Sequence, residues 1–168
     1  MNKTRPQPTT TKGQTLIEVI FAATITAVVL VAVVHSLSLS IKASRKSSDQ
    51  TLSTRYAQEG VEWFRQQRDR VGWFAFTTWL PVGMTTYCTP TLPDLNGPSF
   101  SPFTAGVCSG SQYIPGTNFE RFLTITPVNQ DANPDPEAVD IIVTVEWWEG
   151  TQQFQSRLTS SLEEWNPL

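Results

Sequence analysis

One long apolar segment near the start of this 168-residue chain constrains its fold more than any other feature. From Val19 to Val34 the only polar side chains are Thr24 and Thr26, and further apolar positions extend the run to Ile41. This length matches the roughly 20 residues that a helix needs to cross the hydrocarbon core of a membrane. The sequence therefore predicts a transmembrane helix over residues 14–41, with a separate domain after it.

A single carboxylate, Glu18, lies near the start of the apolar segment. An ionised side chain inside a membrane helix is costly, so such a residue usually serves a function. Glu18 is the fifth residue after Gly13, which ends a polar leader over residues 1–13. This leader lacks the apolar core and small-residue cleavage site of a secretory signal peptide. A plain membrane anchor would account for the apolar run but not for a carboxylate at this spacing.

The sequence Lys12-Gly13-Gln14-Thr15-Leu16-Ile17-Glu18-Val19 resembles the class III signal of type IV prepilins and pseudopilins. The resemblance implies that a prepilin peptidase removes the leader by cutting between Gly13 and Gln14. It implies a single-pass protein of the cytoplasmic membrane whose C-terminal domain lies outside the cytoplasm and later joins an extracellular filament. In the filament core, Glu18 would pair with the free amino terminus of a neighbouring subunit, an assembly role.

Three positions depart from the pattern of major pilins. Those proteins usually begin with a phenylalanine that is N-methylated, whereas this chain has Gln14, so methylation stays open. They also often carry a proline and a glycine that perturb the helix, where this chain has His35 and Ala27. The departures favour a minor pilin or pseudopilin and predict a continuous helix. His35 is the only histidine and is expected at the outer membrane face, not in a metal or catalytic site.

Charge and motif content exclude several function classes. Removing the leader leaves nine basic and fifteen acidic residues, a net charge of −6, which disfavours binding to nucleic acid. The sequence has no nucleophile-elbow, zinc-protease or phosphate-loop motif, so we expect neither an enzyme nor a cofactor. The expected partners are other pilin subunits, the prepilin peptidase and the membrane.

Residues 42–75 are predicted to form the amphipathic second half of the long helix. No proline occurs between residues 42 and 75, and Gly60 would allow a close approach of the following domain. Arg55 and Glu59 are four residues apart and are expected to pair on the solvated face. The apolar stripe predicted to face the domain consists of Leu52, Tyr56, Trp63, Phe64 and Val71.

Residues 76–118 are rich in proline and glycine and are predicted to be loop. The chain's only cysteines, Cys88 and Cys108, lie in this region, which is expected outside the cytoplasm. A disulfide between them is the favoured interpretation, and two buried free thiols are the alternative. The aromatic side chains of the region predict that it packs on the domain.

Residues 119–168 are predicted to form an antiparallel sheet and a C-terminal tail. Three segments alternate in the manner of strands, namely Phe119 to Thr126, Val139 to Trp148 and Gln152 to Ser160. A turn at Glu149-Gly150 would join the last two strands. The predicted fold class is α+β, with the long N-terminal helix packed on a small antiparallel sheet, the α/β roll that the resemblance implies.

The segment between the first two of these strands contains weak candidates for a calcium site, Asp131, Asn133 and Asp135. Pro136 stands where an EF-hand loop requires glycine, and Ile142 stands where it requires glutamate. A solvated acidic turn is therefore the favoured interpretation.

The sequence supports three functional hypotheses. The first is a structural subunit, a minor pilin or pseudopilin, of a type IV pilus, competence or type II secretion filament. The second is a pilus-tip adhesin whose Thr89–Val107 loop contacts a ligand. The third is a membrane-anchored extracytoplasmic domain that is never cleaved or assembled.

Overall fold

The computed structural model describes residues 14–93, 103–110, 112–129 and 136–164. The chain divides between Ser47 and Ser48 into two compact units. The first unit is helical, and the second, here called the C-terminal domain, holds the described residues from Ser48 to Glu164.

The described elements begin with a long helix, α1, which spans Gln14–Val71 and has 58 residues. Its length confirms the prediction of a continuous helix, because no proline interrupts the backbone hydrogen bonds. A short helix and five strands follow, namely α2 (Trp73–Thr77), β1 (Thr85–Cys88), β2 (Thr104–Ala105), β3 (Glu120–Val128), β4 (Ala138–Glu149) and β5 (Gln152–Glu163).

The five strands form one antiparallel sheet in the order β2-β1-β3-β4-β5. In the centre of the sheet, Leu123 of β3 lies opposite Val143 of β4, and Val143 lies opposite Leu158 of β5. A helix packed on an antiparallel sheet confirms the α+β class.

A turn joins β4 and β5 as predicted, but its two residues are Gly150 and Thr151, because Glu149 still pairs with Gln152. Gly150 adopts the positive φ of 64° that glycine tolerates best.

The core lies between the sheet and the part of α1 that belongs to the C-terminal domain. Strand β4 alternates as the sequence predicts, and all five of its inward side chains are fully buried: Val139, Ile141, Val143, Val145 and Trp147. Trp147 packs edge-on against Phe119 and stacks on Phe154, with ring centroids 5.6 and 5.7 Å away. Burial of such side chains is the main stabilising contribution of this domain.

The buried face of α1 differs from the predicted apolar stripe. Leu52 belongs to the predicted stripe but is 37% exposed. The small residues Ser53, Ala57 and Gly60 are buried against the sheet. Small residues bring the helix axis close to the sheet, a feature that hydrophobicity alone does not reveal. Phe64 is fully buried, as predicted.

Gly60 lies close to the sheet. A Cβ atom at this position would lie 3.0 Å from Cγ1 and 3.1 Å from Cγ2 of Val143. The expectation that this glycine permits a close approach is therefore confirmed.

The predicted pairing of Glu59 with Arg55 is wrong. The Glu59 carboxylate instead pairs with Arg121 of β3, with 3.2 Å between the Arg121 Nη1 and Glu59 Oε2 atoms. A partner from a different element displaces the local one because the sheet brings a buried cation to this side of the helix.

The region predicted as loop, residues 76–118, contains two strands. All four residues of β1 pair with β3 on one side, and Tyr87 and Cys88 also pair with β2 on the other. Strand β1 was not predicted because it is short and lies between Gly83 and Pro90. Glycine and proline nearby favour the prediction of a loop.

Candidate functional site

The apolar segment of α1, residues 16–41, is exposed along its whole length. Its large apolar side chains have exposed fractions between 49% and 70%. So much exposed apolar area is unfavourable in water, so this segment requires an apolar environment. Among the described residues, α1 is the one helix long and apolar enough to be a candidate membrane span.

Within the apolar segment, Glu18 is the only charged side chain, and it is exposed. The hydroxyl of Thr24 donates to the carbonyl of Phe21 at 2.9 Å, and that of Thr26 donates to the carbonyl of Ala22 at 2.7 Å. These bonds satisfy the hydroxyls within the helix, which makes threonine acceptable in an apolar environment. The Glu18 carboxylate cannot bond to a helix carbonyl in this way, because an ionised carboxylate only accepts hydrogen bonds and needs a donor or a cation.

The other predicted site residues are placed as follows. Gln14 is the first residue of α1, and Gly13 lies outside the described residues. The weak calcium candidates Asp131, Asn133 and Asp135 also lie outside them. Within the described ranges, no group of three or more His, Cys, Asp or Glu side chains could hold a metal ion.

Cys88 and Cys108 form a disulfide with 4.8 Å between their Cα atoms, which confirms the favoured interpretation. Both cysteines are buried and pack against Phe122 of β3. The bond ties the end of β1 to the segment that follows β2. Disulfides persist in oxidising compartments, so this one is consistent with a domain outside the cytoplasm.

The described part of the chain that the disulfide encloses packs on α1, as the aromatic residues of the region predict. The Trp63 ring lies 5.5 Å from that of Phe103, measured between centroids, and its Nε1 donates to the carbonyl of Pro93 at 2.8 Å. Phe103 is only 8% exposed. The described parts of the Thr89–Val107 loop are therefore anchored to the helix.

Arg121 is a buried cation on the inner face of β3 that was not among the predicted site residues. Its Nε donates to the Thr89 carbonyl at 3.0 Å, and its Nη1 donates to the Tyr56 carbonyl at 3.3 Å and to Glu59 at 3.2 Å. Burial lowers the pKa of Arg121, and the Glu59 carboxylate partly opposes that change. The one sequence feature that could have identified Arg121 as inward-facing is its position between Phe119 and Leu123 in the alternating pattern.

The face of the sheet turned away from α1 carries a second group of functional side chains. Trp148 is 50% exposed there, whereas its neighbour Trp147 is fully buried on the inner face. Glu120 and Glu146 lie directly opposite each other on β3 and β4. Burial, and then the charge of Glu146, raise the pKa of Glu120.

No protein-family model, curated protein or solved structure matches this chain. The motif over residues 12–19 and the structure of each unit by itself are the features that indicate a function. The first unit offers an exposed apolar helix with one carboxylate. The second offers a disulfide-linked domain packed on the continuation of the same helix.

Proposed function

We propose that this protein is a minor pilin or pseudopilin, a structural subunit of a type IV pilus, competence or type II secretion filament. The observation that carries the proposal is Glu18. It is exposed, it is the only charged side chain of the apolar segment, and it lies five residues after Gly13. Neither membrane insertion nor folding of the C-terminal domain requires a charge at this position. Assembly of several such helices gives the charge a partner.

The physical role of Glu18 follows from the surroundings that the apolar segment requires. After cleavage at Gly13, the chain would begin with the amino group of Gln14, a cation close in sequence to the carboxylate. When apolar helices pack together, the amino group of one subunit and Glu18 of the next can form a pair in a medium of low dielectric constant. Such a pair contributes little net stability but fixes the register between neighbouring helices.

The C-terminal domain supports the same proposal. Its disulfide suits an oxidising compartment, and its own core covers the second half of α1. The apolar segment is left uncovered, so it is available first to lipid and then to other helices. A membrane subunit that later enters a helical bundle needs both properties.

N-terminal processing tests this proposal. The full chain would be expressed with active prepilin peptidase, with a catalytically inactive peptidase, and as the Gly13→Leu variant with active peptidase. Intact-mass analysis should show a chain beginning at Gln14 in the first sample alone, and a methyl group on that residue would appear in the same spectrum. An intact leader in the presence of active peptidase would refute the proposal and favour an uncleaved membrane-anchored domain.

A further inference from the structure

The outer face of the sheet carries a groove of about 430 Å³ that the filament role does not use. This volume lies in the range of small-molecule sites, about 300–1,000 Å³. The groove crosses four strands: Thr86 of β1 lines it together with residues of β3, β4 and β5. Side chains at alternate positions of neighbouring strands point to the same face. We name it the outer-face groove, and the residues that matter here are Glu120, Glu146, Trp148, Gln153 and Arg157.

Trp148 is the apolar element of the outer-face groove. Half of its surface is exposed, although the preceding residue, Trp147, is completely buried on the other face. Half of the indole surface packs on the sheet, and the other half leaves an apolar ring face open to the groove. The flat ring is suited to a ligand that has an apolar face.

Polar groups of both kinds surround this ring. Gln153 lies directly opposite Trp148 on β5, and its Nε2 donates to the Glu146 Oε2 at 2.6 Å. This bond holds the Glu146 carboxylate in place beside Glu120. Arg157, which forms no ion pair within the described ranges, brings guanidinium donors to the same groove.

The mixture of charges restricts the class of ligand. A strongly anionic ligand would face two carboxylates, and a strongly cationic one would face Arg157. A neutral ligand with many hydroxyl groups can donate to the carboxylates and accept from the guanidinium. The C–H groups on one face of a sugar ring, which carry a small positive charge, fit the negative face of an indole.

We propose that the outer-face groove binds a neutral oligosaccharide, with one sugar ring stacked on Trp148 and its hydroxyls bonded to Glu146 and Arg157. Val107, the last residue of the Thr89–Val107 loop, lines one side of the groove, whereas no residue of the apolar segment does. Sugar binding requires neither leader cleavage nor filament assembly, so its failure would leave the proposed function untouched.

The test uses the full chain in a detergent without a sugar headgroup, since a sugar headgroup would compete for the site. Maltotetraose, cellotetraose and chitotetraose would be titrated by isothermal calorimetry, with saturation-transfer NMR to identify the bound sugar protons. We expect at least one of them to bind with a Kd of about 1 mM or tighter. Trp148→Ala should weaken that binding by at least about tenfold, and Trp148→Phe should retain part of it.

Phe74→Ala is the matched control, because Phe74 is an aromatic residue of α2 that is 72% exposed and does not line the groove. It should bind the sugar as the wild type does. Thermal unfolding of each variant would confirm that the domain is folded. The proposal is overturned if none of the three tetrasaccharides binds, or if Trp148→Ala and Trp148→Phe both bind with wild-type affinity.

Discussion

The Arg121 guanidinium, only 3% exposed, lies 3.2 Å from the carboxylate of Glu59, which is 57% exposed. The same guanidinium also donates to the carbonyls of Thr89 and Tyr56. One side chain thus links β3, helix α1 and the segment that follows β1. The two carbonyl bonds are independent of the ion pair, so substitutions can separate their contributions.

Substitution of Arg121 should destabilise the C-terminal domain chiefly through the Thr89 carbonyl. Arg121→Met is expected to lower the free energy of unfolding by about 2–3 kcal/mol, because Thr89 is buried and its carbonyl loses a donor. Glu59→Gln should cost about 1 kcal/mol or less, because the pair is half in solvent and the amide oxygen can still accept. Urea denaturation of the full chain in detergent measures both values.

Arg121→Lys is the informative companion variant. A single ammonium group cannot reproduce the fork that reaches Thr89, Tyr56 and Glu59 together, so Lys should recover less than half of the loss. If Glu59→Gln proves as destabilising as Arg121→Met, the ion pair and not the carbonyl bonds would be the dominant contribution.

Arg121 also shows where sequence reasoning succeeds and where it stops. Its inward direction agrees with the alternation of the predicted strand, because the period of a strand is fixed by geometry. The role of the side chain was not predictable, since its acceptors come from α1 and from a segment about 30 residues earlier. Strand β1 was missed for a related reason: its four residues gain their structure from pairing with β3, not from a local pattern.

Gly60 provides a test of the close approach between α1 and the sheet. Alanine is preferred over glycine within a helix by about 1 kcal/mol, but its Cβ would press on both γ carbons of the fully buried Val143. Overpacking of this kind costs about 1–3 kcal/mol, so Gly60→Ala should be destabilising by about 1 kcal/mol in total. Thermal unfolding of the purified chain would report the loss.

The control for this prediction removes the obstructing side chain. In a Val143→Ala background, Gly60→Ala should become stabilising, since the helix preference remains and the clash is gone. A variant that is destabilising by the same amount in both backgrounds would show that Gly60 is required for a reason other than contact with Val143.

The disulfide between Cys88 and Cys108 should contribute about 3 kcal/mol, because it restrains the unfolded chain across a separation of 20 residues. The double variant Cys88→Ala/Cys108→Ala is expected to lose about this amount in urea denaturation. Wild-type protein in reductant should behave like the double variant. An unchanged unfolding midpoint of the wild type on reduction, with two free thiols verified by mass, would contradict the prediction.

Glu120 should make the stability of the domain depend on pH. Its folded-state pKa is raised above the ordinary value of 4.5, so the folded state holds this proton more tightly than the unfolded chain does. The free energy of unfolding therefore falls as pH rises from below 4.5 through the raised folded value. Glu120→Gln removes this loss and should be more stable than the wild type at pH 7 by about 0.5 kcal/mol.

The comparison should be repeated at pH 3, where Glu120 is protonated in both states and the advantage of glutamine should vanish. In a Glu146→Gln background the gain at pH 7 should shrink, because one of the two causes of the raised pKa is gone. An advantage of Glu120→Gln that is equal at pH 3 and pH 7 would assign the effect to packing and not to charge.

The two candidate sites differ in how far the sequence could predict them. Glu18 is recognisable from sequence because its meaning depends on being the only charge in an apolar run, which needs no tertiary information. The outward direction of Trp148 followed from alternation. The outer-face groove could not be predicted from alternation. Glu120 and Gln153 come next to Trp148 only through the register of three strands, which a single sequence does not specify.

Glu18 should be required for assembly and not for processing. Glu18→Val keeps Gly13 and the apolar segment, so cleavage and membrane insertion should match the wild type. Its abundance in sheared filaments, measured by immunoblot against the total, should fall by at least about tenfold, since it cannot pair with the amino terminus of its neighbour. Thr24→Val, which removes a hydroxyl already satisfied within the helix, should assemble normally. Normal incorporation of Glu18→Val would mean that the carboxylate does not guide the helix, and the motif would then indicate cleavage alone.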